Sequence, residues 1–234
     1  MIEHITFLLY LITFLVSNIG YGLLFSKFLY KNFYNLNYGY LGIIGFFSIT
    51  IIAYLTSFFT AHNFFHNFTL HFIGLAFFIV NFVKDLEVNL PQIKKLFSIT
   101  LVLLIGIYVF KNHDDFAYYH LTYALNLSES KLIIGTGLFS HGFRTSSSIF
   151  QYHSTLYLPY IKYFLFHSGP FYILIYFNYI ILSKLIHKYQ NNQFDIIYFF
   201  SLLNFCFVNV VFYRLAEHGT CLLYTSDAAD EEDS

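Results

Sequence analysis

The densest chemistry in the chain is Asn112-His113-Asp114-Asp115-Phe116-Ala117-Tyr118-Tyr119-His120-Leu121. It begins where a long apolar run ends. A carboxylate just outside a membrane can act as general base on a hydroxyl or bind a divalent cation. Asp114 or Asp115 can equally cap a helix, because a carboxylate there accepts the free N–H groups of the first turn. Such a helix is expected to run to about Leu127, where Ser128 and Glu129 break the apolar pattern. Spacings of three and four then put Phe116, Tyr119, His120 and Tyr123 on one face. The segment reads as a juxtamembrane amphipathic helix near the surface.

Two further groups carry candidates. The first is His141-Gly142-Phe143-Arg144, followed by Thr145 and three serines. Arg144 offers a planar fork suited to phosphate, and the hydroxyls add donors. Alternatively Arg144 lays its stem along the membrane surface with its charge in water. The second is Arg214-Leu215-Ala216-Glu217-His218-Gly219, which can supply a second arginine to the same place or be ordinary interfacial charge. His62, His66 and His71 form a third set. His62 and His66 stand four apart, as metal ligands on a helix do. No third ligand is evident nearby, and interfacial packing is the preferred expectation. Cys206 and Cys221 form no disulfide, zinc or thiol-nucleophile pattern.

These residues must be positioned by membrane helices. The 234 residues are 57% hydrophobic and 11% charged, against about 25% charged in a soluble domain, and the apolar residues come in long blocks. The 32 Phe and 22 Tyr, with no Trp, read first as genome composition. A spanning helix needs about 20 mostly apolar residues. Segments at roughly 5–25, 40–59, 64–83, 96–110, 171–185 and 194–213 come close or qualify. The fourth is short unless it starts near Pro91, where proline fits a first helical turn. Residues 149–166, with Pro159 and Lys162, are expected to form a re-entrant or interfacial segment or a seventh span. The fold class is thus all-α: a polytopic bundle of about six to seven membrane segments. Residues 1–110 hold four spans, 111–148 an external loop with its helix, and 149–220 the remaining segments.

Lys27, Lys31, Lys84, Lys94, Lys95, Lys184 and Lys188 fall in or near short connections, and loop lysines mark the cytoplasmic side. That path puts the N-terminus and the 111–148 loop outside, although Lys111, Lys131 and Arg144 lie in that loop. It also requires 149–166 not to span.

Residues 221–231, CLLYTSDAADE, resemble one reading frame of a transposon mosaic-end sequencing adaptor. This implies that 221–234 is a non-native tail and that the natural chain continues past Thr220. Five of the 13 acidic residues lie there, so the remaining 12 basic against 8 acidic residues leave +4.

Asp114-Asp115-Phe116-Ala117-Tyr118-Tyr119-His120-Leu121, followed by the stretch from His141 to Pro159, resembles bacterial multi-pass glycosyltransferases of the GT-C type. The resemblance covers about residues 112–159. In that family the acidic loop usually follows the first span. Here it follows the fourth, which extra N-terminal helices would account for. The resemblance implies a catalytic Asp114 or Asp115, a polyprenyl-phosphate sugar as donor, and the outer face of a bacterial inner membrane as the place. Arg144, with Arg214 as a second candidate, is expected to hold the donor phosphate, with His120, His141, Glu217 and His218 completing one outer pocket. The partners expected are the lipid bilayer and the lipid-linked sugar, not nucleic acid. The cofactor is left open, a divalent cation being possible. A transport-type or non-catalytic envelope protein, such as a polysaccharide flippase or polymerase, is the rival. A transporter should carry polar or helix-breaking groups within its spans. These spans have few, mainly Asn18, Gly20, Gly22, Asn81, Asn178, Asn204 and Asn209.

Overall fold

The computed structural model describes residues 2–29, 36–108, 116–139, 143–144 and 147–211. They form α1 (Ile2–Leu29), α2 (Tyr38–Ser57), α3 (Phe64–Lys84), α4 (Leu86–Tyr108), α5 (Leu121–Glu129), α6 (Ser148–Thr155), α7 (Ser168–Gln190) and α8 (Ile196–Val211). A π-helical turn, Phe116–His120, leads into α5. No strand occurs among the described residues.

Five helices are long and apolar enough to cross a bilayer: His4–Phe28, Tyr38–Ser57, Phe64–Lys84, Leu86–Ile105 and Ser168–Gln190. Their outward faces carry Phe65, Phe68 and Phe72 on α3, and Leu101, Val102 and Ile105 on α4. Such contiguous apolar surface is not left facing water; facing hydrocarbon costs nothing. The architecture is that of a multi-pass, all-α membrane protein. α8 is apolar but shorter, 16 residues, or about 24 Å against a hydrocarbon core of about 30 Å.

α4 begins ten residues before the expected start and carries Pro91 inside it. The proline removes a donor to the carbonyl of Glu87, which is exposed near the helix start and open to solvent. The loss is small there, so the helix runs on.

α1 is the central post. A Cβ on Gly20 would lie 1.8 Å from the carbonyl oxygen of Gly74 on α3, and one on Gly45 of α2 would lie 1.6 Å from that of Asn18. Only glycine permits such backbone approach, the usual way membrane helices gain contact without a hydrophobic driving force. α7 is tied to the same post by phenols: Tyr172 donates to Leu11 O (3.2 Å) and Tyr176 to Leu15 O (2.8 Å). These contacts make α1, α3 and α7 parallel, and α2 antiparallel to them. Lys27, Lys84, Lys94, Lys95, Lys184 and Lys188 consequently gather at one end of the bundle. Lys95 donates to Ser183 Oγ (2.8 Å), and Lys188 pairs with Asp195 (2.6 Å) in the α7–α8 turn. Lys131 and Arg144 stand at the opposite end.

Residues 149–166 do not span. α6 enters from the end away from the lysines and is buried along its length. A turn closed by the Leu158–Lys162 bridge then reverses the chain, and α7 starts on the side where α6 entered. Pro159 sits in that turn, and Tyr160 and Lys162 take positive φ, 69° and 46°. α6 dips among the helices and is covered by them, whereas the turn that follows it exposes Pro159, Tyr160, Lys162, Tyr163 and Phe164.

Candidate functional site

The dipping segment is held by polar groups spread over α1, the α2–α3 connection and α3. Asn67 is its anchor. The side-chain Nδ2 donates to the carbonyls of His62 (2.7 Å), Ser154 (2.9 Å) and Tyr157 (2.9 Å). Asn18 and the Tyr152 hydroxyl exchange bonds (Asn18 Nδ2 to the phenol oxygen, 3.0 Å; the phenol O–H to Asn18 Oδ1, 3.2 Å). His71 bonds Ser17 Oγ through Nδ1 (3.1 Å) and donates to Thr155 O through Nε2 (3.1 Å). Tyr10 donates to Pro159 O (3.0 Å). Buried polar groups must be paired, and these are.

The three histidines expected to pack at the interface are enclosed by protein groups. His62 and His71 are buried, and His66 is half-buried. The rings of His62 and His66 stack at 4.6 Å, and both nitrogens of each of the three are engaged by protein groups. That arrangement excludes the metal-pair reading of His62 and His66. Burial, followed by the adjoining His66 ring, lowers the His62 pKa to about 3 against an opposing backbone hydrogen bond, so the ring is neutral. Among the described residues no cluster of three or more His, Cys, Asp or Glu can hold a metal ion.

A groove runs down the lipid side of this cluster. α2 and α3 both pack on α1 and diverge from each other, leaving a cleft of about 700 Å³. Thr56, Thr60, Asn63, His66 and Thr69 line its head, at the end away from the lysines. Tyr21, Leu24, Phe25, Ile52, Leu70 and Ile73 line its length. Its shape is an apolar slot with a hydroxyl- and imidazole-lined top.

Of the residues expected at an outer pocket, two are described. His120 is buried at 3% exposure, its ring against Tyr119 (4.3 Å) and Phe150 (4.9 Å). Tyr123 also packs on Phe150 (5.3 Å), so the inward face expected from the spacing forms and seats α5 on α6. Burial raises the Tyr123 pKa. Arg144 is exposed, and its Nε donates to Gly137 O (3.3 Å). His120 thus serves the packing beneath the loop, while Arg144 stands in solvent above it. Asp114, Asp115, His141, Arg214, Glu217 and His218 lie outside the described residues, as does the 221–234 tail. Residues 127 to 132 dock beside the groove head: His62 N donates to Leu127 O (2.8 Å), and Leu132 N to Ser57 O (2.7 Å).

Sequence reading missed Thr56, Asn67 and Ser154. Thr56 and Asn67 are small polar residues among apolar ones, which was the available signal, whereas Ser154 stands in the polar stretch Gln151 to Thr155. No family model matches this chain, and no curated protein or solved structure is significantly similar to it.

Proposed function

We propose that the protein is an integral-membrane glycosyltransferase of the bacterial inner membrane, moving a sugar from a polyprenyl-phosphate donor to an envelope polysaccharide or lipid acceptor at the outer face. The observation that carries this reading is the lipid-side groove with a polar head, beside which residues 127 to 132, downstream of the acidic motif, dock. An apolar slot open to the bilayer suits an isoprenoid chain, and the polar head suits what the chain carries.

In this reading Asp114 or Asp115 takes the proton of the acceptor hydroxyl. The acceptor oxygen bonds to the anomeric carbon from the face opposite the phosphate. The bond from that carbon to the phosphate oxygen breaks, its electron pair staying on the phosphate, and the configuration inverts. Arg144, joined by Arg214, meets the charge on the departing phosphate, a task suited to a guanidinium fork.

The test is transfer from polyprenyl-phosphate-linked sugars in membranes containing the complete protein. Replacing the true base, by Asp114→Asn or Asp115→Asn, is expected to slow transfer by roughly 10²- to 10⁴-fold with insertion unchanged. Full transfer in both single variants and in the double variant would return the aspartates to helix capping. A flippase-type protein would use the same groove. Lipid binding with no transfer to any acceptor favours it.

A further inference from the structure

Lys95 stands where α4 and α7 both change character. α4 carries Gln92, Lys94 and Lys95 and then turns apolar at Leu96. α7 is mostly apolar up to Leu182 and then carries Ser183, Lys184, His187 and Lys188. Such a change marks the level at which hydrocarbon gives way to lipid headgroups. At that level Lys95 Nζ donates to Ser183 Oγ (2.8 Å) and lies 5.1 Å from the centre of the Tyr179 ring. Ser183 Oγ can accept because its own proton goes to Tyr179 O (2.6 Å). The ammonium is thereby fixed at the seam between the two helices.

Its charge is not matched by protein. An ammonium has three N–H donors, and Ser183 takes one. Among the described residues no carboxylate lies within ion-pair distance of Lys95. Of the acids at this end, Asp195 is paired with Lys188 (2.6 Å). Glu87 and Asp85 stand eight and ten residues before Lys95, or about 12 and 15 Å along a helix axis. Lys94 and Lys184, next in the chain to the two partners of the interhelical bond, are exposed and add to the positive charge.

The seam is open to lipid. Spacings of three and four put Pro91, Ser98 and Val102 on the same flank of α4 as Lys95, and all three are exposed. The Ser98 hydroxyl is spent on Lys94 O (3.0 Å), so the flank below Lys95 is apolar in effect. α4 is also the least buried of the five spans, so a ligand that bridges it to α7 has something to hold.

We propose that the α4–α7 seam binds the phosphate of an anionic phospholipid from the leaflet at the lysine-rich end, with an acyl chain lying along Val102. Lys95 contacts the phosphate, Lys94 and Lys184 add charge, and the lipid clamps α4 to α7. The occupant follows from the site: unmatched cations at headgroup level, above an apolar flank that faces hydrocarbon. Basic pockets between membrane helices take such headgroups. The seam lies at the opposite end of the bundle from the groove head, so this inference goes beyond the transferase reading and does not depend on it.

The chain contains no Trp, so one introduced tryptophan reports on one place. Val102→Trp reports below the seam. Val80→Trp, at an exposed position of α3 one turn before Lys84, reports on the same leaflet away from it. The full chain is reconstituted in phosphatidylcholine vesicles, and quenching by dibrominated phosphatidylglycerol is compared with quenching by dibrominated phosphatidylcholine. Phosphatidylglycerol is expected to be preferred about fivefold at Val102→Trp, with little preference at Val80→Trp. Adding Lys95→Met to Val102→Trp should remove the preference, and Lys95→Arg should keep it. Should Lys95→Met fail to insert, the comparison of the two tryptophan positions still decides. Equal preference at both positions means diffuse attraction to the lysines and overturns the proposal. No preference at Val102→Trp, or an unchanged one with Lys95→Met, overturns it too. Loss of the preference on adding inorganic phosphate, with ionic strength matched by chloride, would assign the cations to a free anion and overturn the lipid as occupant.

Discussion

Asn67 joins two segments that are far apart in the chain, with one amide against three carbonyls. Each buried carbonyl that loses its donor costs about 1–3 kcal/mol. Asn67→Leu should therefore destabilise the fold by about 3 kcal/mol or more, read as a lower melting temperature of the helical signal in detergent. Unchanged melting would mean that the dipping segment is held elsewhere. His62 sets a pH limit. Its pKa is lowered in the fold to about 3 from 6.5, so the unfolded chain binds the extra proton first. Stability from this residue is complete above about pH 6.5 and falls as pH drops toward 3, by up to about 1.4 kcal/mol per unit. Melting measured between those limits should decline with acid, and His62→Gln should flatten part of the slope. A steeper slope in that variant would contradict the buried, neutral ring.

At the scale of elements, the α1–α3 contact depends on two glycines. A methyl group at Gly20 would meet the backbone oxygen of Gly74 at 1.8 Å, and backbone cannot rotate away. Gly20→Ala must push α3 off α1, widening the groove and dragging His71 from Ser17. The expected outcome is a sharp loss of folded protein in detergent, scored by size-exclusion chromatography. Phe72→Leu, on the exposed side of α3, should be nearly neutral. Equal yields for the two variants would show that the helices do not meet at Gly20. The dipping segment is the other element with a definite logic. Pro159 and two residues of positive φ make its turn, and side chains of α1 and α3 satisfy the backbone that the turn leaves open.

For the whole molecule, the segregation of lysines gives a polarity. α3 and α4 meet at the lysine-rich end, whereas the loop after α5 sits at the other. With Cys206 and Cys221 replaced by serine, Glu87→Cys and Lys131→Cys, both at exposed positions, should label from opposite faces of the membrane. A membrane-impermeant thiol reagent applied from outside the cell is expected to reach Lys131→Cys and not Glu87→Cys. Labelling of both positions from one face would break the five-span path. Reversed labelling would keep the path and move the acidic loop to the cytoplasm.

The sequence by itself determined the membrane class, the five long helices to within a few residues except at the start of α4 and the end of α7, and the polarity of the lysines, which in turn favoured a non-spanning 149–166. Each of these is a local or additive property: apolar length, proline position and loop charge act on the residues that carry them. The inward face of 116–123 was legible for the same reason, since helical spacing places it. Tertiary structure alone decided the groove and the polar core. His62, His66 and His71 stand out in the sequence, but nothing local tells a buried histidine from an interfacial one. Their state depends on partners such as Ser154, 92 positions from His62, and Ser17, 54 positions from His71. A serine or threonine in an apolar run usually satisfies itself on the preceding turn, as Thr50 and Thr100 do. Thr56 and Ser154 also reach the preceding turn, at Ala53 O and Gln151 O, and only the packing of α1, α2, α3 and the dipping segment brings imidazoles to them as well.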